Sequence, residues 1–467
     1  MKKALILIIA LILVSSVILT GTGCKTTTSD IESTITEAVT AEAEVTETEK
    51  TEAEASETTE DIWGTDPISI DLWTWQTNPG YIGEDGFYDY IATEYNKLHP
   101  NITINWQFSE ITSGGYVEAL KAAIAGNETP DMFGVHPGAM YYEFVDSGVM
   151  YDITDVVNND TEWSSWLGTS KDLVDFWYND RMYMVPQGVG IRGIYYWKEM
   201  WPNGFPTTQS ELYKEAARLN GEGLIPMAFA GTLYVEYTEA FIALVGQMDP
   251  EKTMIEKAEA GEIKWVNDTF LKACDTIGEM AKQGVFPEGF VSWQYAEDAL
   301  ESFMTKKSAS FWIGGQWWMS EFAAKLESDL IEDNIGWAFF PAVDGYEPCA
   351  LGGGAATMAV DPEGENLEIA LDILKFTNSP GAQEVMFNTM ADIPPGGHLF
   401  MDKEPPYPLF GLLTELRSTT DLQKYWIDDP DIQDALYNEL LKVSLGEKTS
   451  EEALNAIQAV TDEVLNK

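Results

Sequence analysis

Two short runs in this chain set flat aromatic rings beside amide side chains: Trp73-Thr74-Trp75-Gln76 and Gly314-Gly315-Gln316-Trp317-Trp318. Such rings cover the apolar faces of a pyranose, and short polar or carboxylate side chains meet its hydroxyls. The chemistry is recognition without bond making. Bond-making sets are weaker. His99, His136 and His398 are the only histidines and no Cys-x-x-Cys occurs, so no zinc site is expected. Gly188-Val189-Gly190-Ile191-Arg192-Gly193 fits the spacing G-x-G-x-x-G, but it follows Pro186 and leads into Ile194-Tyr195-Tyr196-Trp197, which favours an extended chain over the helix a dinucleotide site needs. Gly352-Gly353-Gly354 lacks the Lys-Ser/Thr ending of a phosphate loop. Pairs of carboxylates, all that glycoside hydrolysis requires, arise by chance among 77 acidic residues. A secreted glycoside hydrolase is therefore the rival reading from another class.

Both aromatic runs stand where strand-like segments end. Ile68-Ser69-Ile70-Asp71-Leu72-Trp73 alternates apolar and polar residues, residues 87–98 have helical spacing, and His99-Pro100 stops that helix. Residues 102–106 form a second strand, 116–124 a second helix, and 131–135 a short buried strand ending in His136-Pro137-Gly138. Strands alternating with helices predict a mostly parallel α/β sheet. Trp73 and Trp75 flank Thr74 and share a side of the strand; the alternative to a stacking role is that both pack the core. After residue 197 the character shifts to helices at 210–219, 238–245 and 268–283. Strand-like segments return at 308–313, 335–340 and 356–360, then a helix at 366–377 and a largely helical tail.

Lys2 and Lys3 precede an apolar run over residues 4–19 broken only by Ser15 and Ser16, the pattern of a signal peptide, here 1–23. Leu19-Thr20-Gly21-Thr22-Gly23-Cys24 resembles a bacterial lipobox, in which the cysteine is acylated and becomes the mature N-terminus. Gly21 stands where an aliphatic residue is usual, so an ordinary cleaved signal is the alternative. Residues 24–62 are mostly Thr, Glu, Ser and Ala, cannot offset chain entropy by burial, and read as a disordered, self-repelling tether. About 400 residues remain, enough for two domains, and 45% apolar with 12% aromatic residues make them globular. A net charge of −50 excludes nucleic acid and anionic lipid as partners, because no basic patch can neutralise phosphate. With Cys24 lipidated, Cys274 and Cys349 are the only possible pair, or else two buried thiols.

Eight segments in order carry a resemblance: ISIDLWTW, IATEYNKLHPNITINW, YVEALKAAIAGNETPDMFGVHPG, DSGVMYDITDVV, RMYMVPQGVGIRGIYYWKEMW, FMTKKSASFWIGGQWWMSEF, GGGAATMAVDPEGENLEIALDILKFTNSPGAQEVMF and DIPP. From residue 67 to 467 the chain resembles the extracellular solute-binding proteins of sugar-importing ABC transporters, the maltose-binding and multiple-sugar-binding lipoproteins. The resemblance implies an α/β, two-lobed periplasmic-binding-protein-like fold with hinge crossings and a cleft between the lobes. It implies no cofactor, no catalysis, a carbohydrate ligand, ABC permease subunits as partners, and a monomer held by lipid alone at the extracytoplasmic face of a Gram-positive-type membrane. By this analogy crossings lie near 188–196 and 351–358, the N-terminal lobe is 63–190 plus 310–355, and the C-terminal lobe is 191–309 plus 356–467. Trp75 becomes a stacking platform and Gln76 a hydroxyl contact, while Trp317 puts its ring in the cleft beside Gln316 and Trp318 packs the core. His136, Glu236, Tyr237, Arg192, Asp392 and Glu110 are further cleft candidates; for His136 the alternative is loop packing, for Arg192 an interlobe ion pair. A second rival keeps this fold and binds a glycerol phosphate or another anion, which calls for several cleft cations that the chain scarcely has.

Overall fold

The computed structural model describes residues 63–108, 115–168, 176–354, 357–400 and 402–466. The expected signal peptide, Cys24 and tether lie outside these residues, as does Glu110. Among the described residues no helix is long and apolar enough to cross a membrane.

In chain order the elements that position the site are β1 (Ile68–Thr74), α1 (Pro79–Ile82), α2 (Phe87–Leu98), β2 (Ile102–Phe108), β3 (Met132–Phe133), β4 (Val185–Pro186) and β5 (Val189–Trp197). There follow α3 (Tyr234–Met248), α4 (Asp268–Lys282), β6 (Ser310–Gly315), α5 (Trp318–Lys325), β7 (Ile335–Ala338), β8 (Leu351–Gly354) and β9 (Thr357–Val360). Last come α6 (Leu367–Thr377), α7 (Pro380–Thr389), β10 (Gln423–Lys424), α8 (Pro430–Ser444) and α9 (Ser450–Val464).

The alternation read in β1 is real: Ile70, Leu72 and Thr74 are buried while Ser69 and Asp71 are exposed. Phe87, Tyr88, Ile91 and Tyr95 give α2 its buried stripe. The Asn78 side chain accepts the Gly80 N–H at 3.1 Å and Pro79 takes the first helical position, so α1 starts where the loop after β1 ends. These elements build a first sheet in the order β2-β1-β3-β9-β4, with β1 parallel to β2 and β3, and β9 antiparallel to both its neighbours. Its core joins Ile70, Leu72, Phe133 and Val185 to Met358, Val360, Ile373 and Met386.

The second sheet runs β10-β8-β5-β6, with β7 also on β5. It is antiparallel except for the β10–β8 pair, so the expectation of a mostly parallel sheet holds only for the first half of the chain. Long helical excursions separate these strands, and a strand returning from such a distance is free to pair in either direction. Around this sheet α3, α4, α8 and α9 pack Phe241, Phe270, Ile277, Leu436 and Ile457 into a second core. Cys274 and Cys349 are both buried and free.

The chain passes between the sheets at three places. Two residues separate β4 from β5, and two separate β8 from β9, close to the two crossings expected. The third was not foreseen: Ala391 packs in the first core, and Ile393 pairs with Val189 at the start of β5. The expected lobe boundaries need correction accordingly. Residues 310–354 belong to the second sheet, through β6, β7 and β8, and residues 357–391 belong to the first lobe through β9, α6 and α7. An apolar strand pattern shows that a segment is buried in a sheet but not which sheet it joins.

Candidate functional site

The first lobe meets the crossings with the loops that follow β1 and β3. Trp75 stands one residue past β1, half-buried, edge-on to Tyr116 at 5.5 Å and 6.1 Å from His136. Gly134 lets the ring lie down, since a Cβ there would come within 2.7 Å of the indole. His136 Nδ1–H donates to the Pro137 carbonyl at 3.0 Å, which leaves Nε2 as an acceptor. Burial and the nearby Arg192 push its pKa down to about 4, so the ring is neutral. Gln76 is turned inward. Its Oε1 accepts the Tyr88 hydroxyl at 2.6 Å and meets Thr74, while its Nε2 has no partner. Gln187, between β4 and β5, repeats this arrangement: Oε1 lies 3.4 Å from the Tyr88 hydroxyl and the buried Nε2 is unpartnered.

The second lobe contributes through β5. Arg192 is paired with Glu239 of α3 and lies between two rings, 5.0 Å from the centroid of Trp317 and 3.7 Å from that of Tyr425. Trp317 stands where β6 gives way to α5, its ring against Gly315, as the spacing predicted; Trp318 is buried and donates its indole N–H to Tyr295 at 2.9 Å. The Tyr425 hydroxyl donates to the Gly354 carbonyl at the β8–β9 crossing and lies 3.4 Å from His136 Nε2. The two lobes thus touch through Tyr425 and His136. Trp426 closes a further contact against Gly138, whose φ of +104° and crowded Cβ position suit glycine alone. At the far side Ser320 of α5 meets Asn78 at 3.1 Å.

Asp392 occupies the third crossing. Its carboxylate takes the Gln316 side-chain amide, the Ile393 N–H at 3.0 Å and the Tyr81 hydroxyl at 3.3 Å. Gln316 in turn accepts the Ile191 N–H at 2.9 Å. Gly188 makes room for Asp392, because a Cβ there would lie 2.4 Å from the carboxyl carbon. Gln316 and Asp392 therefore lock the crossings together, with exposures of 0% and 3%. Burial pushes Asp392 up to about 7, against the lowering by its hydrogen bonds.

The remaining candidates separate. Glu236 and Glu239 lie one helical turn apart on α3, both fully buried. Burial, then the charge of Glu239, raises Glu236 well above the usual carboxylate range, and burial holds Glu239 at about 7 against the pull of Arg192. Neither oxygen of Glu236 and not the second oxygen of Glu239 has a hydrogen-bond partner; the Ala230 N–H approaches Glu236 without meeting it in hydrogen-bond geometry. Tyr237 points the other way, into the helical core between Phe229 and Tyr437, with its hydroxyl 3.2 Å from Ser444. It is a core residue: one step along a helix turns a side chain by about 100°. Sequence reasoning missed Glu239, Tyr425, Gln187, Tyr81 and Tyr88. Glu239 was within reach, because the three-residue spacing Glu236-x-x-Glu239 puts both acids on one face. The aromatic pair Tyr425-Trp426 followed by acids was a weaker signal. Among the described residues no group of His, Cys, Asp and Glu is arranged to hold a metal.

Among the described residues the assembled site has rings, amide groups and carboxyl groups, and the Arg192 guanidinium is engaged by Glu239. Residues 80–384 match the family model described as bacterial extracellular solute-binding protein. The chain is similar in structure to a protein solved in work on xylan utilization by the thermophilic bacterium Caldanaerobius polysaccharolyticus, with a TM-score of 0.74, 20% identity, and coverage of 84% of this chain and 99% of that one. It is also similar to a chitin oligosaccharide binding protein (TM-score 0.74, 18% identity, 86% and 100% covered). Maltose-bound MalE3 of T. maritima gives a TM-score of 0.72 at 17% identity, with 85% and 100% covered. No curated protein matches the chain.

Proposed function

The chain belongs to the bacterial extracellular solute-binding protein family, and we propose that it captures an uncharged sugar or oligosaccharide between its lobes and delivers it unaltered to an ABC import permease. One observation carries this reading. Trp75 and His136 of the first lobe and Trp317 and Tyr425 of the second converge around Arg192, so a ligand stacked on these rings touches both lobes at once. A ligand that contacts both lobes favours the closed arrangement by its differential affinity for it, and the closed shape is what permease subunits read. The carbohydrates named for the similar structures, xylan, chitin oligosaccharide and maltose, support a sugar. The pairing of Arg192 with Glu239 counts against a phosphate or other anion, which would have to displace a buried carboxylate. Acylation of Cys24 and the acidic tether to residue 62 would hold the monomer at the extracytoplasmic face of the membrane, with no cofactor and no nucleic acid.

A thermal-shift screen against mono- and oligosaccharides tests the reading, since a ligand that binds only the folded state raises the melting temperature. At least one sugar is expected to do so. A flat response across the panel would overturn sugar capture, and release of reducing ends during incubation would favour the hydrolase. For the anchor, Cys24→Ala is expected to move the protein from the membrane fraction to the medium; continued membrane retention would count against lipidation.

A further inference from the structure

Among the described residues, five buried amide and carboxyl atoms beside the crossings lack a hydrogen-bond partner: Nε2 of Gln76 and of Gln187 on one side, Oε1 and Oε2 of Glu236 and Oε2 of Glu239 on the other. Native proteins pair nearly all such atoms, and each exception calls for a reason. Position supplies one. Gln76 and Gln187 follow the last residues of β1 and β4 in the first sheet, and Glu236 and Glu239 flank the Arg192 guanidinium held between Trp317 and Tyr425. Gln76 and Gln187 are 6% and 1% exposed and the two glutamates are fully buried, so bulk water does not satisfy them. Their own oxygens already face Tyr88, which turns both amide N–H2 groups away from that hydroxyl.

We infer that these atoms are a polar template that fixes which way round the ligand lies and which ligands enter: acceptor oxygens of the ligand meet the Gln76 and Gln187 amides, and hydrogen-donating groups, hydroxyl or ammonium, meet Glu236 and Glu239. This rests on the sugar-capture reading and narrows it. A ring, glycosidic or carbonyl oxygen suits the first lobe. A carboxylate or phosphate at the second would have to draw Arg192 away from its buried partner Glu239. A neutral sugar satisfies both sides through its hydroxyls, and an amino sugar adds an attraction to the ionised form of Glu239.

Two measurements decide it. Glu236→Met and Gln187→Met replace an unpartnered polar group with an apolar one of similar size, and each is expected to raise the melting temperature of the ligand-free protein while weakening sugar binding tenfold or more. A group that serves the fold alone would instead lower the melting temperature on replacement, and that result overturns the template. By calorimetry, the wild-type protein is then compared on the β-1,4 trisaccharides of glucose, glucosamine and glucuronate. The uronate is expected to bind at least tenfold more weakly than the neutral form, with glucosamine at least as tight; equal binding of the uronate overturns the exclusion of anions. Failure of every sugar in the wider screen would sink sugar capture itself, and the melting temperatures of the two ligand-free variants still test the template.

Discussion

The first lobe presents neutral groups just past the ends of its paired strands; the second presents buried acids gathered around one paired guanidinium. Gln76 and Trp75 follow directly on a strand whose register is set over its whole length by β2 and at Leu72 and Trp73 by β3, so their positions are stiff and electrostatically inexpensive. Glu239, Arg192 and Glu236 lie on a helix and a crossing strand, and their arrangement depends on an ion pair that has left water. On the proposed reading, the sheet would supply rigid recognition surfaces and the helix side discrimination by charge, at a cost in stability.

The contrast is broken most severely at Arg192. Arg192→Met leaves Glu239 buried without its cation and is expected to destabilise the protein by about 3–5 kcal/mol, measured by denaturant unfolding, while the double variant with Glu239→Met recovers most of that loss. A single variant as stable as the wild type would mean that the second lobe does not depend on the pair. Next in size, Trp75→Ala and Trp317→Ala are each expected to weaken ligand binding about tenfold or more, roughly 1.4 kcal/mol, by calorimetry. Unchanged affinity in both would remove the ring platforms, and a loss confined to Trp317→Ala would place recognition in the second lobe alone.

A smaller effect separates the lobes by pH. Asp392 and Glu239 are raised to about 7 in the folded protein, so each binds more protons folded than unfolded, and the stability it contributes is lost as pH rises from the normal carboxylate range through 7. His136 acts oppositely: held down at about 4, it costs stability as pH falls from 6.5. Glu236 and Glu259, also raised by burial, act in the same direction as Asp392 and Glu239, and together they outweigh one histidine, so the melting temperature is expected to be higher at pH 5.5 than at pH 7.5. Asp392→Asn should flatten this slope and His136→Gln should steepen it; a melting temperature that rises with pH contradicts the assignment. Smallest is the lobe-to-lobe contact of Ser320 with Asn78. Ser320→Ala is expected to cost about 0.5–1.5 kcal/mol of the closed arrangement, seen as a larger radius of gyration in solution scattering of the ligand-free protein.

Of the first-lobe residues, those just past the ends of strands with a local period-two pattern were legible, whereas Gln187, Tyr81 and Tyr88 were not. Trp75, Gln76 and His136 all lie just past such ends, and Trp317 lies past β6 for the same reason. Tyr237 failed because the reading stopped at a neighbourhood and did not resolve the helix face, which the packing of Phe229 and Tyr437 decides. Asp392 was named as a ligand contact; its hydrogen bonds go to Gln316, Tyr81 and Ile393 at the third crossing, and no local pattern distinguishes a residue that pins a crossing from one that faces a ligand.

By itself the sequence determined the elements, the scarcity of cations and the strand ends where rings and amides gather, because periodicity, turn chemistry and net charge act over a few residues or over the whole chain; the two-lobed class came with the family resemblance. Only the tertiary structure decided which sheet each late strand joined, that a third crossing at Ala391–Ile393 exists, and that Arg192 spends its charge on Glu239 between two rings. Those outcomes follow from contacts between residues tens to hundreds of positions apart, where the entropy of closing a long loop is nearly the same for several competing partners and side-chain packing makes the choice.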